Sequence, residues 1–255
     1  MKTVILAGGR GTRLAEETHA IPKPMVAVGD RPILWHIMQH YAAHGHTDFV
    51  VALGYKGYVI KEYFANQLMH SCDMAVDLST GSVEYLSHSE VDWKVTLIDT
   101  GADSMTGGRI KRLAGLLTER FLLTYGDGLS DVPIDAVVAH HEAVGASATV
   151  TAVHPPPRFG SLGVEDGMVA DFREKPQDSH DWINGGYFVV EPDVLDLIED
   201  DSVSFEAAPL SRLAQQGRLG AYQHEGFWMP MDTVRERDEL NKIWNSGNAP
   251  WWNKQ

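Results

Sequence analysis

The residues best suited to chemistry stand at the start of the chain, in Val4-Ile5-Leu6-Ala7-Gly8-Gly9-Arg10-Gly11-Thr12-Arg13-Leu14 and Pro22-Lys23-Pro24-Met25. The apolar run ending at Ala7 reads as a strand that empties into a glycine-rich loop. Lacking Cβ atoms, Gly8, Gly9 and Gly11 let backbone N–H groups come close to an anion. Thr12 adds a hydroxyl donor, while Arg13 and Lys23 add fixed positive charge. A strand, an amide-lined loop and cations are the parts of a polyphosphate cradle. The spacing excludes the two commoner cradles. There is no G-x-x-x-x-G-K-[ST], and Leu14 stands where a dinucleotide fingerprint needs its third glycine.

Five further groups carry polar chemistry. Asp127 sits between Gly126 and Gly128 after an apolar strand, where it reads either as a turn residue or as a ligand for Mg²⁺. Asp232 follows Trp228-Met229-Pro230-Met231 and reads either as a helix N-cap or as a second carboxylate for that ion. Glu174-Lys175-Pro176 and Asn184-Gly185-Gly186 offer donors, acceptors and a point charge suited to a sugar phosphate, or are an exposed turn and a glycine bend. Ser104-Met105-Thr106-Gly107-Gly108-Arg109 is a capping loop or a base-facing one, and Arg109 has donors that suit cytosine O2 and N3. Phe227, Trp228, Trp244, Trp251 and Trp252 read as core and tail packing. His140-His141 and His44-x-His46 lack metal-ligand spacing with a third partner and read as solvated helix-end or loop residues.

The elements that must position these groups alternate along the first 150 residues. Strands are expected at 3–7, 48–53, 95–99, 121–125 and 148–153, and helices at 32–44, 58–68, 109–117 and 134–144. Such alternation predicts an α/β fold, a mostly parallel mixed sheet with helices on both faces. Ligands on such sheets bind beyond the strands' carboxyl ends, where Gly8 to Arg13 and Gly126-Asp127-Gly128 both fall. After Pro155-Pro156-Pro157 the pattern turns to short strands at 161–164, 168–173 and 186–191, expected as small antiparallel additions. Helices are expected at 192–199, 205–216 and 234–244, and a protruding hairpin within 74–93. No repeat or linker divides the chain, which predicts one domain over residues 1–255.

Composition narrows the function classes. With 21 Lys plus Arg against 35 Asp plus Glu, the formal net charge is −14, which argues against a nucleic-acid partner. Arg10, Arg13 and Lys23 cluster within this acidic chain and would focus positive potential at one mouth. No apolar run is long enough to span a bilayer, so no membrane association is expected. The single cysteine, Cys72, permits no intrachain disulfide. With a strand beginning at residue 3 and no room for a leader, a cytoplasmic protein is the expectation.

The loop Gly8 to Leu14 with Pro22-Lys23-Pro24-Met25 resembles the signature of the sugar-1-phosphate nucleotidyltransferases, which share a Rossmann-like fold. Gly126-Asp127-Gly128, Glu174-Lys175-Pro176 and Asn184-Gly185-Gly186 follow in that family's order. The likeness extends from end to end and is strongest to the members that use CTP and glucose 1-phosphate, through segments 32–38, 54–64, 99–101, 104–109 and 226–233. It implies that Gly8, Gly9, Arg10, Gly11, Thr12 and Arg13 hold the triphosphate, with the Leu6 and Ala7 backbone near the nucleoside. It implies that Lys23 contacts the α-phosphate and the sugar phosphate, and that Arg13, Lys23 and Asp127 are catalytic. Ser104, Thr106, Arg109 and Gly126 would line the cytidine site. Glu174, Lys175 and Asn184 would take glucose 1-phosphate, and Asp127 and Asp232 would bind Mg²⁺. Arg10 departs from the leucine usual in those members and adds charge near the phosphates. The resemblance also implies a homo-oligomer, with a hexamer as the expected form, and a place in making a deoxysugar of a surface polysaccharide. The same transfer from UTP or dTTP, and a homologue that binds nucleotide sugar without turnover, are the competing readings.

Overall fold

Seven strands form the central sheet of the computed structural model, which describes residues 1–89, 91–155, 161–165, 168–173 and 182–252. In chain order they are β1 (Lys2–Ala7), β2 (Asp48–Leu53), β3 (Lys94–Asp99), β4 (Phe121–Tyr125), β5 (Ala148–Val153), β6 (Ile183–Val190) and β7 (Leu219–His224). Their order across the sheet is β7-β5-β6-β4-β1-β2-β3. β6 runs antiparallel to both neighbours, and the other described pairings are parallel. The chain steps from β1 outward through β2 and β3, then returns to the other flank of β1 with β4. That reversal opens a crevice beyond the ends of β1 and β4.

Alternation along the strands sends side chains to two cores. Ile5 and Ala7 join Phe49, Val51 and Leu53 beneath helix α1 (Ile33–Ala43) and helix α4 (Ile134–Val144), a core sealed by Trp251. Val4 and Leu6 join Val50, Ala52 and Leu123 on the opposite face. There they meet helix α3 (Thr106–Lys111), the 3-10 segment Pro192–Leu197 and helix α5 (Ala208–Gln215). Each fully buried Val, Leu or Ile contributes roughly 1.5–3 kcal/mol by leaving water. Both faces of β1 are therefore fixed, and with them the loop that follows.

The expected helix at 58–68 divides into α2 (Gly57–Ala65) and a short turn of helix at Gln67–Ser71. The strand expected at 186–191 starts earlier, at Ile183. The hairpin appears as Met74–Asp77 paired with Ser82–Tyr85, its strand residues exposed. Ser161–Glu165 and Met168–Arg173 pair antiparallel. Four elements differ more. The helix expected at 109–117 begins at Thr106 and ends at Lys111, followed by a 3-10 turn. Glycine is a poor helix former, which hid this start. Yet a Cβ at Gly107 would lie 2.6 Å from the Val203 carbonyl oxygen, and one at Gly108 2.4 Å from Asp201 Cα. Only glycine lets the two segments pack this closely. The segment expected as helix 192–199 is 3-10 at Pro192–Leu197, and α5 starts three residues late, at Ala208. β7 was not expected, because Leu219-Gly220-Ala221 has little strand propensity; pairing with β5 imposes it.

His141 is also unlike its expectation. It is buried rather than solvated, with Nδ1 bonded to Thr149 Oγ1 at 2.9 Å and Nε2 to Glu191 at 3.2 Å. Among the described residues no group of three His, Cys, Asp or Glu could hold a metal ion. Among them, too, no helix is long and apolar enough to cross a membrane.

Candidate active site

A cleft of about 790 Å³ opens at the reversal point, lined on one side by the loop after β1 and on the other by the start of β6. Two glycines of the loop have identifiable tasks. Gly11 has φ +62°, a conformation that L side chains rarely adopt, and its carbonyl accepts from Leu14 N at 3.0 Å and Thr18 Oγ1 at 3.0 Å. A Cβ on Gly8 would sit 2.3 Å from Arg109 Cζ, so the loop rests directly on that guanidinium.

Arg109 is nearly fully buried. Its Nη1 donates to the carbonyls of Gly101 at 2.6 Å and Leu53 at 3.2 Å and to Thr100 Oγ1 at 3.0 Å. Its Nη2 donates to the Gly8 carbonyl at 3.0 Å. Burial pushes this guanidinium below its ordinary pKa. Arg109 lines the cleft as expected, but these donors face backbone carbonyls and hold the loops after β1, β2 and β3 together. Ser104 Oγ likewise donates to the Thr100 carbonyl at 2.6 Å. Arg10 is not among the residues that line the cleft; it pairs with Asp103 at 2.9 Å, both side chains well exposed.

The charged centre lies across from this loop. Lys23, in a 3-10 turn started by Pro22, is buried and donates to Asp127 Oδ2 and to Asp232 Oδ1, each at 2.6 Å. Arg13 Nη1 donates to the other oxygen of Asp232 at 2.6 Å while most of its side chain stays exposed. Burial of an ion pair costs several kcal/mol per ion, and close multiple hydrogen bonds offset that cost. Two cations here balance two carboxylates.

The fold brings the two aspartates together. Short strands Gly128–Ser130 and Trp228–Pro230 pair antiparallel, and Met231 N donates to the Asp127 carbonyl at 2.8 Å. This zipper brings the carboxylates together. Thr233, rather than Asp232, caps helix α6 (Val234–Asn245), in a capping box with Glu236. The Asp232 carboxylate is thus left for Lys23 and Arg13. Two convergent carboxylates without a third protein ligand are the donor set of an ion such as Mg²⁺, which binds through one or two carboxylates plus substrate phosphates.

Asn184 and the backbone of Gly185 and Gly186 form the opposite wall. Asn184 Nδ2 donates to Tyr125 Oη at 2.9 Å, and its Oδ1 accepts from Gly186 N at 2.8 Å. Glu174 and Lys175 lie outside the described residues. Leu6, Ala7, Gly8, Gly9, Gly11, Thr12, Arg13, Lys23, Ser104, Thr106, Arg109, Gly126, Asp127, Asn184 and Asp232 all border one cleft.

Three aromatic side chains at the cleft were not anticipated. Trp228, expected in the core, lines the cleft and donates from Nε1 to the Gly185 carbonyl at 2.7 Å. Tyr187 Oη donates to the Gly128 carbonyl at 3.0 Å, and Tyr125 holds Asn184. Tyr125 directly precedes the Gly126-Asp127-Gly128 motif and Tyr187 directly follows Asn184-Gly185-Gly186, positions that could have flagged both; Trp228 lies four residues before Asp232.

A family model described as nucleotidyl transferase matches residues 2–233. The chain is 53% identical over 254 residues to a glucose-1-phosphate cytidylyltransferase of Salmonella typhi, covering 98% of each sequence. Among solved structures, HddC from Yersinia pseudotuberculosis is similar with a TM-score of 0.70 at 22% identity, over 95% of this chain and 99% of that one. A UDP-glucose pyrophosphorylase complexed with UDP-glucose is similar with a TM-score of 0.69 at 17% identity, over 96% and 98% of the two chains. These two structural likenesses speak for the fold.

Proposed function

The chain belongs to the nucleotidyl transferase family, and from that membership and its cleft we infer that it transfers the cytidylyl group of CTP to α-D-glucose 1-phosphate, giving CDP-glucose and pyrophosphate. The observation that carries the chemistry is Lys23, whose ammonium stands 2.6 Å from both Asp127 and Asp232 beside the glycine loop. An ammonium has three donors, and two are committed to the carboxylates. Among the described residues the third has no acceptor, which leaves it for a phosphate oxygen.

In the reaction an oxygen of the sugar phosphate forms a bond to the α-phosphorus of CTP as the bond to the β-phosphate oxygen breaks. The attacking oxygen is already ionised at neutral pH, so no general base is needed. Catalysis reduces to alignment and charge neutralisation. Lys23 draws the two anions together at the reacting phosphorus. Arg13 and the amides of Gly8, Gly9 and Gly11 hold the departing pyrophosphate, the guanidinium keeping four N–H donors beyond the one on Asp232. Thr106 and Ser104 border the base, and Asn184 the sugar. Asp127 and Asp232 would hold Mg²⁺, which supplies positive charge to the phosphate oxygens as negative charge builds there.

Residues 1–255 form one nucleotidyltransferase domain in this reading, cytoplasmic and assembled as a homo-oligomer. The deciding experiment is pyrophosphate release from CTP, UTP, dTTP and GTP, each with glucose 1-phosphate and Mg²⁺. CTP is expected to give by far the highest kcat/KM. Equal or better turnover with another nucleotide would refute the cytidylyl assignment, and CTP binding without turnover would mark a non-catalytic homologue.

A further inference from the structure

Glu206 stands in the turn before α5, and sequence reading gave it no role. Its carboxylate accepts from Tyr125 Oη at 2.6 Å through one oxygen. The other oxygen accepts from Thr106 Oγ1 at 2.6 Å and Ser204 Oγ at 2.5 Å. Burial opposes the charge on Glu206, but the hydrogen bonds from Ser204, Thr106 and Tyr125 outweigh it and hold the carboxyl below its usual pKa.

The direction of every bond in this chain is forced. An ionised carboxylate only accepts, so the Tyr125 hydroxyl spends its proton on Glu206 and must accept from its other neighbour. Gly186 N can only donate, so it takes Asn184 Oδ1 and leaves Asn184 Nδ2 to donate to Tyr125. Phe205 N donates to Thr106 Oγ1 at 2.9 Å, which directs the Thr106 proton to Glu206. With one amide N–H on Tyr125, the exposed Asn184 side chain has a single N–H left to offer a ligand. Left to rotate, the amide would present an oxygen or a nitrogen to that ligand.

We infer that Tyr125 and Glu206 are positioning residues that fix the Asn184 amide as a hydrogen-bond donor to the acceptor sugar and tie it to Thr106 on the nucleotide side. The inference rests on the assignment above of Asn184 to glucose 1-phosphate and of Thr106 to the cytidine pocket. It specifies a sugar hydroxyl that accepts at this wall. It also makes one carboxylate, absent from the cleft lining, common to both subsites.

Steady-state kinetics on the full chain separate these claims. Tyr125→Phe keeps the ring that packs on Gly186 and deletes only the hydroxyl. It is expected to raise KM for glucose 1-phosphate by roughly 5-fold or more, as loss of an orienting hydrogen bond does, with KM for CTP unchanged. Asn184→Ala should do the same. The double variant should be no worse than Asn184→Ala alone, since the hydroxyl acts through that amide. Glu206→Gln should raise both KM values. A Tyr125→Phe enzyme with unaltered kinetics, one whose two KM values rise together, or one whose effect multiplies with Asn184→Ala overturns the relay. Should Asn184→Ala itself leave KM for glucose 1-phosphate untouched, the sugar assignment fails instead. If Glu206→Gln does not fold, the Tyr125 and Asn184 variants still decide.

Discussion

Met231 N donates to the Asp127 carbonyl at 2.8 Å, and this single backbone bond sets two carboxylates from distant parts of the chain side by side. Lys23 then bonds both, and Arg13 bonds one. The site therefore holds its charges in balance before any substrate arrives, and substitutions there act on stability as well as on rate.

Lys23→Ala and Asp127→Ala are each expected to lower kcat by about 10²-fold or more, through lost electrostatic stabilisation of the transferring phosphoryl group. Lys23→Ala carries an added cost. It strips the buried Asp232 of one of its two cations, each 2.6 Å away, where breaking a buried pair outright costs roughly 3–5 kcal/mol. Steady-state assays and thermal melts on the same preparations check both. A folded Lys23→Ala enzyme with near-normal turnover would remove lysine from the reaction.

Chelation should separate activity from folding. Removing divalent ions with EDTA is expected to abolish pyrophosphate release, and added Mg²⁺ to restore it. The melting temperature should hardly move, because Lys23 and Arg13 neutralise the two carboxylates without help. In Lys23→Ala the same Mg²⁺ should raise the melting temperature clearly, since binding to the native state stabilises it by mass action.

Gly8→Ala tests the contact between the phosphate loop and Arg109. The new methyl would fall 2.3 Å from a guanidinium pinned by backbone carbonyls, so the loop must move. Overpacking of this kind costs roughly 1–3 kcal/mol. Denaturant titration should record that loss and calorimetry a weaker CTP affinity. Gly9→Ala, where a Cβ meets nothing within 4 Å, should leave stability nearly unchanged.

Acid should weaken the fold through His40. Burial, partly opposed by its bond to the Val132 carbonyl, lowers this imidazole from 6.5 to about 4. Below pH 6.5 the unfolded chain binds the proton first, so stability falls as pH drops from 6.5 and the loss levels off near 4. A shift of that size corresponds to roughly 3 kcal/mol. Melting temperatures across pH 4 to 7 should show the decline, and His40→Gln, which keeps an N–H donor for Val132, should flatten it.

The glycine loop and the two aspartates that line the cleft, and the core strands, were legible in the sequence because each depends on local pattern. A strand ending in glycines marks where backbone can border a cleft, and short apolar runs mark β1, β2, β4 and β5 directly. What escaped depends on partners distant in sequence. Nothing local in Leu219–His224 announces a strand, and Gly107-Gly108 argues against the helix they begin. Whether Asp232 caps a helix was undecided until Thr233 was seen doing so. Glu206 and Tyr125 belong to separate segments, and only folding joins them.

The reversed polarity of Ile183–Val190 divides the cleft into two walls of separate origin. In the proposed function the nucleotide's grip grows from where parallel strands finish, and the acceptor's wall from where an opposed strand begins. Lengthening or trimming the segment that feeds that beginning would leave the triphosphate loop in register. A scaffold wired in this way can exchange one sugar for another while its hold on the activated phosphate stays the same.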